Sequence, residues 1–158
     1  MSSNFPIRYY TGTELGPMNQ YFVPDATNGA NIIPGDLVFQ NTSDQEIEEC
    51  GADPALILGI AKGSYADKYL WQNTAGVGRI PVSVLTPAVK IGLCVTGTLA
   101  ASDAGKAYGI VKNASGNLSV DLSETVNTRV TIVEVDVTNQ IAWVHFLAAN
   151  LQYDSIAS

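Results

Sequence analysis

One histidine, His145, is the only imidazole the chain can offer as a general base or metal ligand. It sits in Ile141-Ala142-Trp143-Val144-His145-Phe146-Leu147, alternating with apolar residues and sharing a face with Trp143 and Leu147. A general base needs a nucleophile or an orienting acid beside it, and no motif in the sequence supplies one. The alternation predicts a packed or interface histidine on a strand. The nucleophile elbow Gly-x-Ser-x-Gly is absent. The nearest approach to a phosphate loop, Ala104-Gly105-Lys106-Ala107, fails twice. Ala100 stands where the first glycine belongs, and Ala107 where a hydroxyl would hold magnesium.

Carboxylates gather in one stretch: Asp44, Glu46, Glu48, Glu49 and Asp53 are five of the fifteen acidic residues. Such a cluster could bind calcium, but the EF-hand spacing is missing. A charge run is ordinarily a solvated face, so the expectation is a protruding, repulsive tip that favours solubility. Trp71, with Tyr65 and Tyr69, surrounds Asp67 and Lys68. These aromatics read either as a stacking platform for a sugar or as an edge-strand or interface cluster. Cys50 and Cys94 fit no CxxC or metal spacing. Both are expected to be unpaired, with Cys94 buried between Leu93 and Val95. The residues predict no enzyme, no cofactor and no metal.

Composition narrows the partners. The chain has 158 residues, which fits one domain, and only 15% are charged. Average proteins carry about 25% charged residues, so much of this surface is neutral, as surface facing another protein often is. Eight basic residues stand against fifteen acidic ones, for a net charge of −7. Nucleic-acid binding depends on Lys and Arg that displace counterions, and anionic membranes attract the same residues. Neither partner is expected. No window approaches the roughly 18 continuous apolar residues of a membrane-spanning helix. The opening Met-Ser-Ser-Asn-Phe-Pro lacks the charged and apolar regions of a signal peptide, so the expected site of synthesis is a cytoplasm with reduced thiols.

The elements that would position these residues are short. Residues 1–31 read as an extended arm, because Pro6, Gly12, Gly16, Pro17, Pro24 and Gly29 exclude a helix or a long strand. The arm nevertheless carries Phe5, Tyr9, Tyr10, Tyr21 and Phe22. A solvated linker would not, so the arm is expected to lie either on its own barrel or on a neighbour. Residues 32–158 are expected to form an all-β, barrel-like domain. Strands are read at residues 36–40, 55–61, 79–86, 88–96, 108–112, 118–122, 128–135 and 141–148. The second of these is apolar on both faces and so covered on both. Pro81 pushes the third toward an edge or a bulge. Asn113-Ala114-Ser115-Gly116-Asn117 predicts a hairpin turn, and Thr138-Asn139-Gln140 predicts another. At most one short helix is expected, capped at Ser43-Asp44-Gln45-Glu46 and ending at Gly51. Gly35-Asp36-Leu37-Val38 with Leu58-Gly59-Ile60-Ala61-Lys62 is echoed by Gly92-Leu93-Cys94-Val95 with Tyr108-Gly109-Ile110-Val111-Lys112. The echo reads as two similar hairpins within one barrel.

Four of these segments carry a family resemblance. Ile33-Pro34-Gly35-Asp36-Leu37-Val38, then Ile57-Leu58-Gly59-Ile60-Ala61-Lys62-Gly63, then Arg79-Ile80-Pro81-Val82-Ser83-Val84-Leu85-Thr86-Pro87 come in order. Trp143-Val144-His145-Phe146-Leu147, followed by Leu151-Gln152, closes the set. Together they resemble the head decoration (cement) proteins of tailed bacteriophages, over roughly residues 32–152, with the arm outside the likeness. The resemblance implies a barrel-like or β-tulip fold and a homotrimer. It implies the major capsid protein as partner and a place in the virion, on the outer surface of the assembled capsid. A protein that binds only the mature shell stabilises it by linkage. The interface residues on this reading are Phe5, Tyr9, Tyr10, Tyr21, Phe22, Trp143 and His145. The competing class is a carbohydrate-binding β module of a virion or cell surface, using Trp71 and the nearby tyrosines. A glycosidase-type carboxylate pair fares worst, because short strands leave little room for a cleft.

Overall fold

Period-two alternation and turn residues decide the architecture. The computed structural model describes residues 7–11, 19–67, 69–70 and 78–152, which form twelve strands. In chain order these are β1 (Ile7–Thr11), β2 (Asn19–Phe22), β3 (Leu37–Gln40), β4 (Ile47–Glu49), β5 (Gly59–Ala61) and β6 (Tyr69–Leu70). They continue with β7 (Gly78–Val84), β8 (Lys90–Thr96), β9 (Ala107–Lys112), β10 (Leu118–Asp121), β11 (Val130–Asp136) and β12 (Ile141–Phe146). The protein is all-β, as its sequence predicts. Single 3₁₀ turns at Ala101–Asp103 and Ala148–Asn150 are the helical pieces among the described residues. None of the described helices is long and apolar enough to cross a membrane.

β8, β10, β9, β11 and β12 close into a five-stranded barrel, with β12 pairing back onto β8. Both expected hairpins form. Between β9 and β10, Asn113 Oδ1 accepts the N–H groups of Ser115 and Asn117 at 3.0 Å. Between β11 and β12, the Asp136 carboxylate accepts the Asn139 N–H at 3.0 Å. Such side-chain bonds offer the backbone a turn in place of a ladder. Alternation along β12 sends Ala142, Val144 and Phe146 inward against Ile91, Leu93, Ile110, Val130 and Ile132.

β1 adds to the free part of β8's edge, and β2 to β7 form a flat sheet in the order β2-β7-β5-β3-β4, with β6 also on β7. Leu37 and Ile60 join the barrel's apolar cluster, while Val38, Ala61, Ile80, Val82 and Val84 join a second cluster with Phe22, Ile32, Ile47 and Leu58. Neighbouring residues of β3 thus face opposite ways, and the sheet is covered on both sides. After β12 the chain returns to the sheet. The Gln40 N–H donates to Gln152 Oε1, and Gln152 Nε2 donates to the Gln40 carbonyl, both at 2.7 Å.

Four local expectations are corrected. The segment read as a helix from Ser43 is the β3–β4 hairpin. Asn41 Oδ1 accepts the Ser43 N–H, Asp44 Oδ1 accepts the Glu46 N–H, and Gln45 has φ +66°. The polar residues that would cap a helix close a turn instead. Pro81 is not on an edge, since β7 lies between β2 and β5. Its carbonyl accepts the Lys62 N–H, one residue past the end of β5. Its ring nitrogen faces the same side, past the last residue of β5, so the missing donor falls at the end of the ladder and not within it. The internal echo is not two hairpins of one barrel: β3 and β5 pair in the sheet, whereas β10 separates β8 from β9. Cys94 is only half buried, with Sγ 3.2 Å from the Leu118 carbonyl.

Candidate functional site

Trp143 and His145 lie on the outer face of β12, because their neighbours Ala142, Val144 and Phe146 fill the barrel. Trp143 pairs with Gly92 on one side and with Glu134 on the other. A Cβ at residue 92 would come 3.1 Å from Trp143 Cζ3, so the glycine leaves room for the indole to lie across β8. The Lys90 ammonium stands 5.7 Å from the indole centroid and 3.1 Å from Glu134 Oε2, sandwiched between a π face and a carboxylate. Trp143 is thereby only 7% exposed. The shallow groove beside it, of ≈ 670 Å³, is walled by Glu134, Asp136, Val137 and Thr138. A register shift between Ile132 and Glu134 turns Val133 outward, and Val133 and Val137 are both about half exposed.

His145 Nδ1 lies 2.8 Å from the Pro87 carbonyl oxygen. A carbonyl only accepts, so Nδ1 carries the proton and donates it. This ties β12 to the β7–β8 connection. Among the described residues the imidazole is therefore engaged with backbone, not with a nucleophile or an acid.

The arm aromatics separate. Phe5 lies outside the described residues. Tyr9 and Tyr10 fall on β1, whose backbone pairs with β8 of the same chain, Tyr10 opposite Ile91. β12 flanks β8 on its other edge. The strands bearing Tyr9, Tyr10, Trp143 and His145 therefore adjoin one strand. Tyr21 and Phe22 belong to the other sheet, on β2 against β7. Tyr21 is 43% exposed, but Phe22 is buried in the second apolar cluster and is a core residue, not an interface residue. Of the aromatics read as a sugar platform, Trp71 lies outside the described residues and Tyr65 packs against the second cluster.

The acidic run disperses. Asp53 Oδ1 accepts the Ile110 N–H at 2.7 Å, Glu48 accepts from Asn41 Nδ2, and Glu49 meets Lys112. Asp44 and Glu46 converge instead on Asp25, with carboxylate oxygens within 4.8 Å of one another. Glu46 is raised above its ordinary range by burial and by Asp44 and Asp25. Asp25 is lowered, first by the Asn28 N–H and then by that of Thr27. Its Oδ1 already accepts both N–H groups, which makes it a turn-former.

Lys106, in the stretch resembling a phosphate loop, pairs with Asp103 at 3.4 Å. Gly105 there has φ +88°, a turn leading into β9. Both cysteines are free. Burial, then Glu49, pushes the Cys50 thiol up to about 12.

One surface was not legible in sequence. Arg129, the residue before β11, donates Nε to the Pro54 carbonyl at 2.6 Å. Its Nη2 donates to the Asp53 carbonyl and its Nη1 to that of Thr128, both at 2.8 Å. A Cβ at Gly109 would fall 2.4 Å from Asp53 Oδ1 and 2.5 Å from Glu124 Cγ, so the two loops meet over that glycine. Glu124 Oε1 accepts the N–H groups of Asn127 and, next in effect, Val126, which lowers its carboxyl. On these pinned loops Val126 is 84% exposed and Leu56 43%. Leu56, Ala55, Pro54 and Phe39 line an apolar hollow of ≈ 280 Å³. The one sequence signal was a lone valine in Glu124-Thr125-Val126-Asn127-Thr128.

No family model matches the chain, and neither a curated protein nor a solved structure does.

Proposed function

We propose that the chain is a head decoration (cement) protein of a tailed bacteriophage. It acts as a homotrimer on the outer surface of the assembled capsid, with the major capsid protein as partner. It turns over no substrate and needs no cofactor, nucleic acid or membrane.

One observation carries the reading. The three ordered segments of the resemblance, weak singly, become β3, β5 and β7 with their flanks, contiguous strands of one sheet. The fourth segment is β12 of the barrel packed against that sheet. Two further features support it. Leu56 and Val126 are apolar, exposed and held on loops already ordered by Arg129 and Glu124, so a partner covering them loses little loop entropy. β1 and β12 flank the two edges of β8, so the β1 end of the arm lies one strand away from Trp143 and His145.

The test is addition of purified protein to expanded empty phage heads. Stoichiometric attachment is expected, and light scattering should give a trimer. Covering one such side chain contributes about 1.5–3 kcal/mol, and about 1.4 kcal/mol is tenfold in affinity. The double variant Leu56→Asp, Val126→Asp should therefore bind heads at least about tenfold more weakly while melting like the parent. Failure to attach, with binding on a glycan array, would replace this reading with the carbohydrate-binding module.

A further inference from the structure

Lys112 ends β9 at the rim where the barrel meets the sheet. Its Nζ lies 3.0 Å from Asp36 Oδ1 and also touches Glu49 Oε1. Asp36 stands just before β3, and Glu49 ends β4, paired with Val38 of β3. The Asp36 side chain is only 3% exposed. Its Oδ2 accepts the Ile33 N–H at 2.9 Å. Its own N–H donates to the Ile33 carbonyl, and its carbonyl accepts the Ala61 N–H. The carboxyl group is fixed at both oxygens and along its backbone. A surface ion pair has none of this: here a buried acid and a second, more exposed carboxylate share one amine.

We infer that Lys112 and Asp36 condense to an intramolecular amide, an isopeptide bond, with Glu49 moving the protons. The Glu49 carboxylate takes a proton from the Lys112 ammonium. The freed electron pair on Nζ attacks Cγ of Asp36 in its acid form, and the Nζ–Cγ bond forms. Negative charge develops on Oδ2, where the Ile33 N–H already donates, in the manner of an oxyanion hole. A second proton passes from Nζ to the Oδ1 hydroxyl, the Cγ–Oδ1 bond breaks and water leaves. Glu49 returns its proton to solvent, to which its side chain is 26% exposed. No oxidant or further reactant is required.

The electrostatics set the pace. Burial pushes the Asp36 carboxyl up, toward the acid form that is the better electrophile, and the opposing Ile33 N–H and Lys112 do not reverse it. Burial pulls Lys112 down, but hydrogen bonds to Glu49 and Asp36 leave it raised overall. The resting lysine is an ammonium, so reaction waits on transfer to Glu49 and runs slowly, once per chain. The product would fasten sheet to barrel in a protein whose cysteines are both free.

The experiment is intact mass of the denatured full-length chain after incubation at neutral pH, followed by proteolytic mapping. The wild type should be one water lighter than its Lys112→Arg and Glu49→Gln variants, after allowing for each substitution. Its digest should hold a branched peptide joining Asp36 to Lys112. A wild type at full mass overturns the proposal, as does loss of water without that branch. A branch from Lys112 to Glu49 would overturn the assignment of Asp36 as the electrophile. Both variants retain a polar side chain at the rim, and a cooperative melt for each confirms that the comparison is between folded chains.

Discussion

Replacing Arg129 with alanine tests whether the Asp53–Leu56 loop is held by the guanidinium. Three N–H groups reach three backbone carbonyls, those of Pro54, Asp53 and Thr128, at 2.6, 2.8 and 2.8 Å. Hydrogen bonds from a charged group contribute about 1.5–3 kcal/mol each. All three acceptor residues are half buried, so water re-solvates their carbonyls when the side chain is cut. About 1 kcal/mol per bond is then the appropriate figure, and the variant should lose about 3 kcal/mol. For a domain of this size about 1 kcal/mol shifts Tm by about 2–4 °C, which gives a fall of about 6–12 °C. Urea titration and a thermal melt both read it. Arg129→Lys separates charge from geometry. A lysine keeps the cation but cannot present three donors in a fixed fork, so it should recover less than half of the loss. Full recovery by lysine, or a fall below about 2 °C in the alanine variant, would refute the clamp.

Gly109→Ala should destabilise by about 1–3 kcal/mol in a urea melt, the usual range for forcing atoms into a filled site, because its Cβ would meet Asp53 and Glu124. Gly51→Ala, with nothing within 4 Å of the new carbon, is the control and should change little. In the native protein at about pH 8, alkylation should modify Cys94 well before Cys50, whose thiol is pushed up to about 12 by burial and then Glu49. Mass mapping that finds Cys50 modified first would contradict this. Asp103 is lowered from 3.8, first by the Ala100 N–H, then by the Tyr108 hydroxyl and Lys106. A lowered carboxyl stabilises the fold above its unfolded value, and that contribution is lost as pH falls through the folded one. Asp103→Asn should therefore be less stable than the parent at neutral pH, with the gap narrowing as pH falls below about 3.8. A constant gap would show that the bonds do not depend on charge.

The strands were legible because alternation is local. Ile80, Val82 and Val84 all face the second cluster, as their offset from Arg79, Pro81 and Ser83 requires. The hairpin at Asn113 was legible because asparagine and glycine satisfy a turn with their own atoms. Barrel closure was not. It depends on β10 lying parallel to β8, with Ser119 opposite Cys94, and no residue type marks a partner so distant in the chain. The helix expected from Ser43 was misread because Ser, Asp and Asn serve helix caps and hairpin turns by the same hydrogen bonds. Ile47, opposite Gln40, decides between them through tertiary pairing. Phe22 was misread because a Gly/Pro-rich segment with aromatics looks like a free arm, and its place opposite Ile80 is again a long-range fact. The Arg129 clamp left no trace because its acceptors are backbone carbonyls, which every residue has.

The contacts that join barrel to sheet are likewise long-range, and together they explain why polar residues sit at the rim of so apolar a molecule. Arg129 grips the loop after β4, Lys112 grips Asp36 before β3, and Gln152 exchanges two bonds with Gln40 at the end of β3. Apolar packing between layers is non-directional, so alone it would let the sheet slide on the barrel. Each polar tie fixes a separate point along β3 and β4, and three points determine an orientation. Leu56 and Val126 are consequently displayed in one arrangement. On the proposed reading, that fixed arrangement is what an ordered shell of identical subunits selects, because a partner lattice offers one spacing and rewards only a surface that does not have to be ordered first.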